Sequence, residues 1–375
     1  MAGGGTPPAR HPGGAAHLPL RLGLPVLRAV AQVRQLQRTA RQGRGHRPAG
    51  GGPGRKSLSG AAPSRLADWR RQTKEEGLEV LAEGRGERLG WHDPDEQRAW
   101  VRENKPRDLR DKRMTVAEAV SRFVPDGAVL AMGGFGHIRV SMAAVYEIIR
   151  QRKRHLALLG KTAVHDADLL IGSGCVDRVE VAYTFGHELR GLSPASRRMV
   201  DTGACRVVGE VSNAAYQWRF LAAMMGVPFV PARHLLGTDT LEQSPAKVVA
   251  DPFTGKPVAL LPACYPDVVF IHVPRADRFG NCQIDGTLIE DFELARAARR
   301  LVVTAEEIIS EEAIREQPWR TAIPFFLVDA VMEAPYGSHP CQMPLRYFFD
   351  EEHIGEWLAR SRTPEGAEEY FARYV

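Results

Sequence analysis

The chain has no acidic residue before Asp68. Eleven of its 50 Lys and Arg precede that point, so the other 39 face 45 Asp and Glu, and residues 68–375 carry −6. The formal charge of +5 therefore belongs to the N-terminal segment. A nucleic-acid partner would call for basic residues clustered on a folded surface, and the acidic body argues against one. No apolar run reaches about eighteen residues, so no membrane span is expected. The five cysteines (Cys175, Cys205, Cys264, Cys282, Cys341) are odd in number and widely spaced, with no C-x-x-C pair. That argues against a disulfide framework or a zinc knuckle and fits a reducing, cytoplasmic setting. There is no H-x-x-x-H either, so no metal site is predicted.

What is present suits a globular protein. Apolar residues make up 44% and charged residues 25%, enough for a sizeable core in one or two domains. Residues 1–64 are rich in Gly, Ala, Pro and Arg and lack periodicity, which predicts a disordered basic tail; an Arg-rich transit peptide is the alternative. Deleting that tail is expected to leave assembly and activity intact. Residues 65–112 carry both charges and two helical candidates, 66–81 and one capped near Asp95, and read as a partly helical arm. Residues 113–375 form the main domain.

Within that domain a helix is expected at 115–123 and a buried strand at 128–132. A glycine loop and a helix at 142–150 follow. Apolar runs recur at 156–159, 178–183, 228–231, 268–273 and 301–304, between helical stretches. Such alternation predicts an α/β fold, with an open, mostly parallel sheet flanked by helices.

The loop Gly133-Gly134-Phe135-Gly136-His137 is the most informative feature. Adjacent glycines after a strand let the backbone approach a ligand closely. The helix start beyond offers N–H groups and partial positive charge, suited to a phosphate, a carboxylate or a developing oxyanion. A purely structural turn fits the same four residues. No third glycine completes a Rossmann fingerprint, and no G-K-[ST] follows to make a P-loop.

The run Asp126-Gly-Ala-Val-Leu-Ala-Met-Gly-Gly-Phe resembles the glycine-loop signature of family I coenzyme A transferases. Arg139 is similar to the residue found there in glutaconate-type alpha chains, whereas Ser141 stands where the family has proline. Further segments beginning at Asp168, Ala222, Val302 and Asp329 also resemble the alpha (A-type) chain of glutaconate CoA-transferases, in the same order. The likeness covers about residues 112–345.

The resemblance implies a carboxylate nucleophile that takes up coenzyme A through a mixed anhydride and a glutamyl thioester. In the family that glutamate lies on the B-type half. This chain would then supply Gly133, Gly134, Phe135 and Gly136 as the oxyanion and substrate loop. A beta subunit would be its partner, in a heterotetramer by two-fold doubling of the pair. Acyl-CoA and a carboxylic acid would be substrates, with no bound cofactor. Family alignment places Arg190 where glutaconate-type alpha chains contact the substrate carboxylate. An arginine there can grip a carboxylate twice; a solvated surface charge is the alternative. Asn213 falls where the A-type chains of ring-opening CoA-ester hydrolases of steroid breakdown carry a catalytic glutamate, and asparagine is no general base. Glu210, three residues earlier, is a substrate-contact candidate or a cap for the helix near Ala214. His137 is an oxyanion donor, an acid, or a satisfied structural histidine; the structural reading is favoured for His187 and His339. Glu306 and Glu307 are adjacent and point to different faces, so a catalytic pair is not expected. Half of a ring-opening hydrolase and a non-catalytic interaction protein on the same fold are the competing readings.

Overall fold

The computed structural model describes residues 79–375. The expected tail at 1–64 and nearly all of the helix candidate at 66–81 lie outside them.

The described chain opens with β1 (Val80–Glu83) and α1 (Pro94–Asn104). Asp93, not Asp95, caps α1, because Pro94 occupies the first helical position, where its missing N–H costs nothing. Thr115 and Glu118 form a reciprocal capping box that starts α2 (Val116–Phe123). Four strand–helix units follow: β2 (Val129–Met132), α3 (Met142–Arg150), β3 (Leu156–Lys161), α4 (His165–Gly172), β4 (Val176–Ala182), α5 (Pro194–Asp201), β5 (Arg206–Glu210) and α6 (Asn213–Met225). Gly226, at φ +69°, ends α6 as a left-handed cap. The chain then leaves the main sheet for β6 (Phe229–Ala232), α7 (Asp239–Gln243), β7 (Lys247–Ala250) and β8 (Pro257–Pro262). It returns as β9 (Val268–Val273), with every residue buried, and runs through the short β10 (Arg275–Ala276) and β11 (Cys282–Gln283). The last elements are α8 (Asp291–Ala297), β12 (Arg300–Ala305), α9 (Glu311–Glu316), β13 (Thr321–Ile323), β14 (Ala330–Glu333), α10 (Glu351–Arg360) and α11 (Pro364–Tyr374).

Seven strands form one parallel sheet in the order β14-β12-β9-β2-β3-β4-β5. Alternate side chains feed two apolar layers. Leu130, Leu158 and Phe270 face one; Ala131, Leu159 and Ile271 face the other. Trp357 of α10 and Tyr370 of α11 close the first layer. The continuous apolar runs are thus strands buried on both faces, as their composition requires.

The run expected at 228–231 is a strand, β6, but it belongs to a separate antiparallel sheet in the order β1-β7-β8-β6. Pro231 donates no N–H, which suits an edge strand and not the middle of a parallel sheet. A third, three-stranded sheet joins β10, β11 and β13. No helix among the described residues is long and apolar enough to cross a membrane.

Candidate functional site

The chain moves outward from β2 to β5, then returns to place β9 on the other side of β2 and moves outward again to β14. The sheet therefore has its switch point between β2 and β9. Ligands of open α/β sheets bind outside the carboxyl ends of the strands at such a point. The glycine loop leaves β2 there.

Sterics explain the glycines. A Cβ on Gly133 would sit 2.6 Å from Asp291 Oδ1 and 2.8 Å from Ile271 Cγ1. Gly134 has φ +87°, and a Cβ there would overlap the Ile138 carbonyl oxygen. The loop's N–H groups are already engaged. Gly133 donates to Phe270 O (2.8 Å), Gly134 to Asp291 Oδ1 (3.0 Å), Phe135 to Ile138 O (2.9 Å) and Gly136 to Thr162 O (3.1 Å). At the start of α3, Met142 and Ala143 donate to Val140 O and Gly337 O, both at 2.9 Å. The expected row of free donors is therefore turned onto the chain itself in this conformation. Ser141 makes no cap bond; its hydroxyl lies 2.7 Å from Thr304 Oγ1.

Two buried ion pairs lie by the loop. Arg139, at φ +55°, donates to Asp291 Oδ2 (2.6 Å) and to Thr287 O (2.9 Å). Asp291 thus holds Arg139 with one oxygen and the Gly134 N–H with the other. Arg139, singled out by its likeness to glutaconate-type alpha chains as a candidate substrate contact, holds Asp291 here; both groups are buried and neither tolerates being left alone. Lys161, at the carboxyl end of β3, pairs with Glu290, and its ammonium lies 5.2 Å from the Phe135 ring centroid. Burial pushes the Glu290 carboxyl up to about 7 despite that lysine. Sequence reasoning missed Lys161, Glu290 and Asp291. The one available signal was a lysine closing an otherwise apolar strand.

His137 is buried with its Nε2 3.3 Å from His187 Nδ1, and His187 Nε2 lies 3.6 Å from Asp168 Oδ2. His165 packs beside both, its two ring nitrogens unpartnered. Burial, then the neighbouring His187 and Arg190, holds His137 down at about 3. Burial likewise holds His165 well below the usual imidazole range. Both are therefore neutral at neutral pH. Glu188 Oε2 stands 3.9 Å from His137 Nδ1 at the solvent side.

Arg190 makes the two-bond grip expected of it, but on Glu351 of this chain, at 2.6 Å for each bond, with its guanidinium 4.7 Å from the Phe349 ring. Asn213 opens α6, and its Oδ1 accepts from the Thr162 hydroxyl at 3.0 Å. Since Thr162 O holds Gly136, Asn213 reaches the loop through one residue. Glu210 is not the cap of α6. Ser212 is, accepting from the Ala215 N–H, because the hydroxyl sits at the position where a side chain reaches back to that donor. Glu210 accepts from Thr240 at 2.8 Å and joins α7 instead of the loop. Glu306 holds His272 and the Tyr347 hydroxyl.

Left-handed backbone at Arg139, Thr162, Tyr183, Phe185 and Glu188 falls in the segments after β2, β3 and β4. Strain of this kind gathers where geometry is over-determined for function.

The coenzyme A transferase family model matches residues 113–334. An uncharacterized protein of Archaeoglobus fulgidus is 63% identical over 300 residues, spanning 80% of this chain and 67% of its own. The A-type chain of glutaconate CoA-transferase from Acidaminococcus fermentans is 34% identical, spanning 70% of this chain and 88% of its own. The crystal structure of that organism's glutaconate CoA-transferase superposes with a TM-score of 0.67 over the same shares of the two chains, at 33% identity. The decarboxylase AibA/AibB, also 33% identical, superposes with a TM-score of 0.62 over 70% of this chain and 98% of its own.

Proposed function

The chain belongs to the coenzyme A transferase family as an A-type subunit, and we propose that it is half of a heteromeric enzyme moving coenzyme A between an acyl-CoA and a carboxylic acid. One observation carries the division of labour. The two buried carboxylates beside the glycine loop are committed, Asp291 to Arg139 and Glu290 to Lys161, while Glu188 stands half-exposed 3.8 Å from Arg190. A nucleophilic carboxylate must be free to attack, and in this reading it comes from a second, B-type chain.

The partner's glutamate oxygen attacks the thioester carbonyl and expels coenzyme A as thiolate, leaving a mixed anhydride. The thiolate attacks the glutamyl carbonyl, giving an enzyme thioester and releasing the first acid as carboxylate. The second acid repeats both steps in reverse. Each attack builds negative charge on a carbonyl oxygen, which donors fixed in place stabilise. The 133–136 loop is the candidate source, and its N–H groups would need to turn from their internal acceptors when the partner and substrate arrive. A glutaconate-like dicarboxylic acid is the substrate class this reading favours, with Arg190 freed from Glu351 to meet its distal carboxylate. A doubled pair with two-fold symmetry is the assembly that fits.

A second reading is a carbon–carbon bond-breaking enzyme on the same fold, a decarboxylase or a ring-opening hydrolase. It is favoured by the buried His137–His187 pair beside the loop, two imidazoles 3.3 Å apart of which thioester exchange has no need. An assay of the chain alone and co-expressed with a B-type partner, over a panel of acyl-CoA donors and acids, separates these readings. Acid-dependent exchange by the pair alone supports transfer; acid-independent loss of the acyl-CoA supports the second.

A further inference from the structure

His339 follows β14, while Asp350 and His353 stand at the start of α10, and one ligand-type atom of each lies within 4.8 Å of the other two. We propose that these three residues form a binding site for a single divalent transition metal of the zinc class.

His339 Nε2 and Asp350 Oδ2 are 3.0 Å apart. Two ligands of a tetrahedral zinc, each about 2.1 Å from the ion, are about 3.4 Å apart. That pair is already close to ligand spacing, and the third atom must move inward by roughly an ångström or somewhat more to match it. Neighbours orient the ligands. Asp350 Oδ1 accepts the His353 N–H at 3.0 Å, which leaves Oδ2 for an ion. His353 Nε2 faces the Tyr370 hydroxyl at 2.6 Å, which leaves Nδ1 as its free ring nitrogen. Outer partners of this kind fix the ring and carboxylate orientation in metal sites. Two imidazoles and one carboxylate select zinc-class ions over magnesium or calcium, which take oxygen sets. His339 and Asp350 side chains are each 41% exposed, so a coordination position stays open to water.

The ion would fasten both ends of the segment 339–350. Gln342 of that segment brackets the glycine loop, its N–H donating to His137 O (2.8 Å) and its O accepting from Arg139 N–H (2.9 Å). A bound metal would therefore clamp the strap that lies over His137.

The test uses the full chain, stripped with a chelator and dialysed, and is read without any acyl-CoA, so it stands apart from the transferase reading. Zinc is titrated against a chromophoric chelator. Cobalt(II) is added separately and its visible absorption recorded. Wild type should bind one zinc per chain, raise its thermal midpoint with zinc but not with magnesium, and give a tetrahedral-type cobalt band. His339→Ala and His353→Ala should each bind at least tenfold more weakly and lose the band. Asp350→Asn keeps the helix cap and should weaken binding too, guarding against a variant that fails to fold. Absence of stoichiometric zinc binding by wild type would overturn the proposal. So would undiminished binding in both histidine variants, or a magnesium affinity equal to that for zinc.

Discussion

Replacing His165 with leucine should flatten the acid side of the chain's stability profile. His165 is wholly buried with neither ring nitrogen partnered, and burial holds it neutral well below the ordinary imidazole value of 6.5. The unfolded chain has no such restraint and takes up the proton once pH falls below about 6.5. Stability from this residue is therefore complete above that value and is lost as pH falls toward the depressed folded value. At pH 5 the loss is about RT ln(1 + 10^1.5), or roughly 2 kcal/mol. His137, held down at about 3, adds a similar loss. Together they remove about 4 kcal/mol, a large share of the roughly 5–15 kcal/mol that holds a typical protein folded. Leucine is close to the imidazole in volume and removes two unsatisfied nitrogens, so at pH 7.5 the variant should lie within about 1 kcal/mol of wild type. Denaturant unfolding of both proteins at pH 7.5 and 5.0 reads the double difference, in which titrating groups away from the histidine cluster cancel. Wild type should lose about 2 kcal/mol more than the variant. Equal losses in the two proteins would refute the neutral-burial reasoning.

The other predictions concern the loop and its supports. Gly134→Ala forces a side chain into φ +87° against the Ile138 carbonyl, and should abolish the activity of the co-expressed pair and lower its thermal midpoint. Arg139→Met leaves Asp291 buried without its partner and should cost about 3–5 kcal/mol in denaturant unfolding; the double variant Arg139→Met/Asp291→Leu should recover most of that stability but not the activity. Glu351→Gln should leave stability nearly unchanged, since that carboxylate is largely exposed. It should also lower KM for anionic acids by freeing Arg190, whereas Arg190→Ala should raise that KM; an unchanged KM in both would remove Arg190 from the substrate site.

Much of the sheet can be read from the residues in order. The runs that form β3 and β9 are buried on both faces, and nothing but a strand between two helical layers suits such a run at that length. The break at Gly133 and the helix from Met142 place the loop correctly. Sheet membership is less accessible, because an apolar run does not say which strand it will meet; β6 joins the antiparallel sheet for a reason visible only in Pro231. The supports of the site are hidden for a related reason. Asp291 lies 152 positions from Arg139, and Glu290 lies 129 from Lys161. Ion pairs of that span leave no mark in periodicity or local spacing. Arg190 stands out in the sequence as an arginine able to grip a carboxylate, and Arg139 by its likeness to glutaconate-type alpha chains; both hold carboxylates, but ones that belong to the chain itself. His339, Asp350 and His353 have no recognised metal-ligand spacing and come together only because the segment after β14 meets the start of α10, where the Asp350 N–H donates to Pro340 O.

The division of labour between the two chains is tested most directly by locating the covalent intermediate. The co-expressed pair is mixed with acyl-CoA, reduced with borohydride, and both chains are mapped by mass spectrometry. A reduced glutamate should appear on the B-type chain and none on this one, with no trapped species when this chain is incubated alone. A modified carboxylate on this chain, or a trapped intermediate without the partner, would contradict the assignment of the nucleophile to the B-type half.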